Sequence, residues 1–229
     1  EDTAEVVLPH PNWVSEVTRK SEEEKASITL FDLLKAALRQ RPNYIIVGEI
    51  RGREGYIAFQ AMQTGHPVLS TFHANSVEKL IQRLTGYPIN VPKTYIDNLN
   101  AVVIQSSVRS PTGLLERKVL SVSEILGYDP VEDRFGYVEI FKWNPVTDDF
   151  GYRGYGSSSL LENKIAPVMG LSGKDISKIY DELEMRSKFI DLMVEKKIFD
   201  FYKVWDIFRT VKDYDIETAI SKLERGKLG

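Results

Sequence analysis

Apolar positions along this chain follow two rhythms, one helical and one extended, and the first hundred residues swing between them. Leu30, Leu33, Leu34, Ala37 and Leu38 recur at helical spacing behind Thr29 and Asp32, which have the form of a capping box. That stripe predicts a helix that ends before Pro42. Tyr44-Ile45-Ile46-Val47 is instead a short continuous apolar run, bounded by Pro42-Asn43 and by Gly48. Such a run reads as a strand buried on both faces of a parallel sheet. A second helix is expected over Glu54 to Gln63 with Gly65 as its C-terminal cap, then a strand from Pro67 to Phe72. Ser76 caps a helix through Leu84 that Gly86 and Pro88 close. Pro92 opens one more helix, and Ala101 to Val108 reads as a strand. Alternation of this kind implies an α/β core, a mostly parallel sheet with helices on its faces.

The texture changes after Pro111-Thr112-Gly113, a turn signature. Lys118 to Ile125 and Tyr137 to Trp143 suggest antiparallel strands, with a turn at Asn144-Pro145 and a solvated turn at Asp148-Asp149. Gly151 to Ser159 looks like a linker or long loop. From Leu160 the pattern is helical. Ser172 caps a helix carrying Ile176, Ile179, Leu183, Phe189 and Leu192, and shorter helices follow around Tyr202 to Thr210 and Ile216 to Glu224. The expected division is a core over residues 1–110, antiparallel strands and linker over 111–158, and an all-helical subdomain over 159–229. Trp143, Trp205, Phe189 and Tyr202 are expected in cores. His10 and Trp13 are expected to pack a loop, and Lys20 to Lys25 to form a solvated one.

Composition narrows this picture. The net charge of −3 argues against a general nucleic-acid binder. The absence of cysteine excludes disulfides, thiol catalysis and zinc held by thiolates. The longest apolar runs are far short of a membrane span and no stretch has the form of a signal peptide, so a soluble, intracellular protein is expected.

The candidate chemistry lies in four polar clusters of the α/β half. They are Glu1-Asp2-Thr3, Glu49-Ile50-Arg51-Gly52-Arg53, Gly65-His66, and Thr71-Phe72-His73-Ala74-Asn75. Three of the four follow a strand or its expected place, and the C-terminal ends of parallel strands share one edge, where α/β sheets keep their ligand crevice. Glu49 there is placed as a Walker B acid, able to hold magnesium through water or to polarise an attacking water.

Arg39 through Arg51, Ala61 through His66 and Ser70 through Asn75, taken in that order, resemble the secretion ATPase superfamily of type II/IV secretion systems. Within it the archaeal branch is closest: the archaellum motor ATPase and its pilus and secretion relatives. The likeness runs from first residue to last, including the helical tail. It implies a RecA-like P-loop fold and hydrolysis of ATP with Mg2+. It also implies a homo-hexamer in the full-length protein, seated on a polytopic membrane platform protein at the cytoplasmic face. By the same likeness Glu1 to Glu5 stand for the aspartate box, Tyr44 to Glu49 for Walker B, and Gly65-His66 through Asn75 for the histidine box. Glu49 and Glu1 then do the acid work, with Glu49 and more weakly Asp2 toward magnesium. Arg51 and Arg53 are the first candidates for the phosphates, since a guanidinium fork is bidentate and always charged. Arg19, Arg39 and Arg41 follow, some of them facing a neighbouring subunit's nucleotide, and His73 could sense the γ-phosphate. Plainer roles compete at two places. His66 follows a C-cap glycine and could simply cap or pack, and Arg39 and Arg41 sit where the helix dipole favours solvated cations.

One departure is large. The Walker A loop, Gly-x-x-x-x-Gly-Lys-Ser/Thr, is absent; Gly170-Leu171-Ser172-Gly173-Lys174-Asp175 has the wrong spacing and reads as a helix cap. The chain is therefore expected to be the C-terminal part of a longer ATPase, a partial core that is inactive alone. The cysteine-based zinc insert of bacterial relatives is missing too. A DNA-transfer motor and a non-catalytic interaction module remain as alternatives.

Overall fold

A computed structural model describes residues 1–23, 26–110 and 113–228. Lys25 at the end of the charged run and Pro111-Thr112 of the expected turn lie outside the described residues. The chain forms two compact units: Glu1–Val7 with Val14–Gly154, and Leu8–Trp13 with Tyr155–Gly229.

In the first unit the helical stripe folds as α1, Leu30–Arg39. Thr29 Oγ1 accepts from the Asp32 amide and the Asp32 carboxylate accepts from the Thr29 amide, the reciprocal capping box that the spacing predicts. β1 spans Ile45–Glu49 and pairs in parallel with β2, Val68–Thr71. Between them runs α2, Glu54–Gln63. Its end is a Schellman motif: Gly65, at φ +88°, donates its N–H to Met62 O, and His66 N–H to Ala61 O. α3, Val77–Thr85, starts at Ser76, whose hydroxyl accepts from the Lys79 amide. Ile45, Val47, Ile50, Ile57, Phe59 and Leu80 are among the buried side chains that join these elements into one core.

The strand at Ala101 departs from expectation. β3, Ala101–Arg109, lies after a 3-10 helix, Lys93–Asn98, and belongs to a second, antiparallel sheet rather than to the parallel one. Its partners in order are β4 (Leu115–Asp129), β5 (Arg134–Asn144) and β6 (Asp149–Tyr152). The reason is in its pattern. Val102 and Ile104 are buried while Ala101, Val103 and Gln105 are exposed, the one-sided burial of an antiparallel strand rather than the two-sided burial of a parallel one. Among the described residues the parallel sheet is β1 and β2 alone, and it too is incompletely covered: Leu69 is 59% exposed. The start of the expected linker is β6, which pairs Phe150 with Trp143 and Tyr152 with Phe141. Asp148 sits exposed in the expected turn, and its carboxylate is bonded there. It accepts from Lys118 Nζ at 2.6 Å and from the indole N–H of the buried Trp143 at 2.8 Å, tying β4 to the end of β5.

The second unit is helical. A π-helical turn, Leu160–Ile165, runs into α4, Ala166–Val168. Ser172 precedes only a short 3-10 turn, Gly173–Asp175, and makes no side-chain cap bond; the long helix α5 begins later, at Lys178–Glu195. α6 (Phe201–Val211) and α7 (Ile216–Glu224) are capped by Asp200 and Asp215. Phe189, Met193, Ile207 and Leu223 form the core. Tyr202, expected inside, is exposed, and His10 packs edge-on against Trp205 with ring centroids 5.8 Å apart.

Candidate functional site

The site grows from the last residues of β1. The β1–β2 register slips between Val47 and Glu49, so both face the last two residues of β2 and Gly48 bulges out. Thr71 Oγ1 donates to Gly48 O at 2.5 Å, and the Ile50 amide donates to Thr71 O at 3.2 Å, which locks the bulge to β2. Gly48 has no side chain to obstruct its other neighbour: a Cβ there would stand 3.0 Å from Oε1 of Glu1. The Glu1 carboxylate is in turn held by the Val6 amide, at 3.2 and 3.3 Å from its two oxygens. Asp2 accepts from Thr18 Oγ1 at 3.2 Å.

Glu49 is therefore fixed at the C-terminal edge of the parallel pair, with its side chain 21% exposed beside the more exposed Arg51 and His73. One carboxylate oxygen pairs with the Arg51 guanidinium and the other lies 3.2 Å from His73 Nε2. The Arg51 hydrogen bond holds the Glu49 carboxyl below the ordinary glutamate range; burial opposes it, and the charges of Arg51, His73 and Arg83, each a lesser effect than burial, add to the lowering. Arg51 is pushed up by the same pair, with Asp2 and Glu5 adding to the effect.

Sequence reasoning passed over Arg83. It lies in the last turn of α3, donates to the carbonyl oxygen of His73, and stacks 4.8 Å above the Phe72 ring. A signal was present. Ser76, Lys79 and Arg83 fall at i, i+3 and i+7, one face of the helix that follows the histidine cluster. Lys79 and Arg83 line an open cleft of about 570 Å³ with His73, Asn75 and Gln105.

The remaining candidates lie elsewhere. Arg53 precedes α2 and its guanidinium sits 5.9 Å from the Phe31 ring, against α1. Arg39 and Arg41 come before β1, at the opposite edge of the sheet. Arg39 lines a cavity of about 340 Å³ with Lys35, Gln60 and Thr64, and Arg41 takes a left-handed backbone at φ +53°. His66 belongs to the α2 C-cap, with Nδ1 3.2 Å from Thr64 Oγ1, at the start of β2 and so also away from Glu49. Arg19 donates to Ala26 O at 3.3 Å.

A carboxylate at a parallel strand's C-terminal edge, beside arginines and a histidine, stands where open α/β sheets keep their ligand crevice. The profile of the family described as "Type II/IV secretion system protein" matches residues 1–122, more than half of the chain, and the chain belongs to that family. It is 52% identical to an uncharacterised protein of Methanocaldococcus jannaschii over 90% of this chain and 37% of that one, so it spans little more than a third of that relative's length. It is 35% identical to the type IV secretion system protein VirB11 of Bartonella quintana, over 37% of this chain and 24% of that one. Against the X-ray structure of the Legionella pneumophila ATPase DotB the TM-score is 0.33, with 28% identity over 47% of this chain and 31% of that one, too slight a likeness to assign the fold. Among the described residues no helix is long and apolar enough to cross a membrane.

Proposed function

We propose that this chain carries the hydrolytic face of a secretion-type motor ATPase of RecA-like architecture. Its full-length protein would couple ATP hydrolysis to filament assembly, archaellum rotation or protein export. The observation that carries the reading is Glu49, held at a sheet edge between Arg51 and His73 in a chain of the type II/IV secretion family. The donor set suits magnesium that arrives with a nucleotide. Such an ion takes one or two carboxylates and completes its shell from water and phosphate. Glu49 and the neighbouring Glu1 match that number, and no group of three metal-binding side chains stands among the described residues. Held there through water, the ion would supply positive charge to offset that of the phosphates.

The chain's own residues then divide the work. Each oxygen of Glu49 has one partner and keeps acceptor capacity, so the acid can orient or polarise a water where it stands. An anion at the sheet edge would give Arg51 a second partner. Glu1, held by the Val6 amide, is the second acid. His73, tied to Glu49 by its ring and to Arg83 by its carbonyl, is placed to relay occupancy of the cleft into α3. Asp2 supports Arg51 electrostatically. Arg19, Arg39, Arg41 and Arg53 are exposed and stand apart from Glu49, which suits contact with a neighbouring subunit of a homo-hexamer; His66 serves there as a cap. The phosphate cradle would come from outside these 229 residues, leaving the chain inactive alone, and a membrane platform protein at the cytoplasmic face would receive the motion. The three-part division at residues 110 and 158 belongs to the same reading.

The test is steady-state ATP hydrolysis by the full-length protein with magnesium. Glu49→Gln should lower kcat by about 100-fold or more, the usual scale for losing a positioned acid or base. Normal turnover in that variant would remove the role given to Glu49. Stimulation by DNA would move the reading to a DNA-transfer motor, which the net charge of −3 disfavours.

A further inference from the structure

Glutamate in the first turn of a helix ordinarily serves the dipole and stays in water. Glu54, the first residue of α2, does neither simply. It is 8% exposed, and its Oε1 accepts the amides of Arg51 and Gly52, each at 2.6 Å. Those residues precede the helix. The carboxylate thus reaches backward and closes the loop between β1 and α2 from inside. We propose that Glu54 is a positioning residue for the Glu49 site: it fixes the loop backbone that aims Arg51 at Glu49. The inference rests on the ATPase reading for its kinetic consequence, but not for its geometry.

The rest of the loop agrees. Ile50, immediately before it, is pinned to β2 by its amide bond to Thr71 O at 3.2 Å. Gly55, immediately after Glu54, donates to Gly52 O at 3.0 Å. Gly52 leaves room for the carboxylate: a Cβ there would lie 3.1 Å from Glu54 Oε2 and would press it aside by a few tenths of an ångström. With the backbone held at residues 50, 51, 52 and 55, Arg51 retains only its side-chain freedom, and that side chain closes on Glu49. One carboxyl oxygen on two amides makes a clamp that charge strengthens, and a carboxamide oxygen keeps its geometry. Arg53, the loop's other cation, faces the Phe31 ring, so the clamp selects Arg51 alone for the site.

The experiment measures ATP hydrolysis in the full-length protein for Glu54→Ala, Glu54→Gln, Arg51→Ala and the double variant Arg51→Ala/Glu54→Ala. Glu54→Ala should lower kcat by about 100-fold, the scale of an ångström-sized misplacement of a working group. The KM for ATP should stay near wild type. Glu54→Gln keeps an oxygen for both amides and should recover most of the rate. The double variant should be no slower than Arg51→Ala, because Glu54 acts through that residue. Losses that multiply in the double variant, or a Gln variant as slow as the Ala one, would overturn the proposal. Amide hydrogen exchange in the wild-type protein gives a reading that needs neither a folded variant nor any ATPase activity. Arg51 and Gly52 should exchange at least tenfold more slowly than the amide of the exposed residue Arg53, and equal rates would overturn the clamp. If the wild-type protein hydrolyses no ATP, the motor reading fails and the exchange result alone decides the positioning.

Discussion

Gly55→Ala adds a single methyl to the first turn of α2, and two opposing effects decide its outcome. Away from its neighbours the change would help. Alanine is favoured over glycine in a helix interior by about 1 kcal/mol, less in a first turn. The structure sets the other side. A Cβ at residue 55 would stand 2.6 Å from Cγ2 of Ile89 and 2.8 Å from Cγ2 of Ile50. Carbon atoms pack at about 3.5–4.0 Å, so each contact needs roughly 1 Å of relief. Neither neighbour gives easily. Ile50 is 5% exposed and Ile89 3%, and both are β-branched with few rotamers to move into. Overpacking of this kind costs about 1–3 kcal/mol, so the net expectation is a loss of about 1–2 kcal/mol. Equilibrium unfolding in urea followed by circular dichroism should show the midpoint falling by about 0.5–1 M with an unchanged slope. A midpoint equal to or above wild type would mean that the helix start is not pressed onto Ile50 and Ile89, and the rigid loop at Arg51 would lose half its support.

Phe59 is 2% exposed on the core side of the same helix. Phe59→Ala should cost about 3–5 kcal/mol in urea unfolding, and a loss below about 1 kcal/mol would contradict its place in the core. The depressed Glu49 carboxyl gives a test by pH. Its pairing with Arg51 stabilises the fold above the ordinary glutamate pKa, and that contribution is lost as pH falls through the lower folded value. Arg51→Ala should therefore raise the Glu49 titration midpoint seen by carboxyl-carbon NMR. The stability gap between wild type and variant should be widest near neutral pH and should close in acid. Identical midpoints in the two proteins would show that Arg51 does not hold the charge on Glu49.

Several elements were legible before any coordinates because their causes are local. The Thr29–Asp32 capping box, the Ser76 cap and the glycine turn after α2 each depend on residues within four or five positions, and each forms as the spacing predicts. Glu49 was legible because an apolar run ending in Gly-Glu is itself a local signal. His73 was found through its cluster. Arg83 was harder, since its bond to the His73 carbonyl spans ten residues and depends on where α3 lies. The partner of Asp148 in its exposed turn was out of reach for the same reason: Lys118 is 30 residues away, across the sheet.

The sequence by itself determined most of the helices, the Thr29, Ser76 and Gly65 caps, the identity of the acid at the end of β1 and the family. Periodicity, turn chemistry and short motifs are written in neighbouring residues and need no knowledge of the fold. Only the tertiary structure decided that β3 joins an antiparallel sheet, that His66, Arg39 and Arg41 lie at the far edge from Glu49, and that Arg83 belongs beside it. Strand pairing depends on which faces are covered, and sheet edges depend on strand direction. The reach of Glu54 back over its own loop joins the two levels. Its position was plain in the sequence, but which amides it would meet, and that it would be buried on them, followed only from how α2 packs on Ile50 and Ile89.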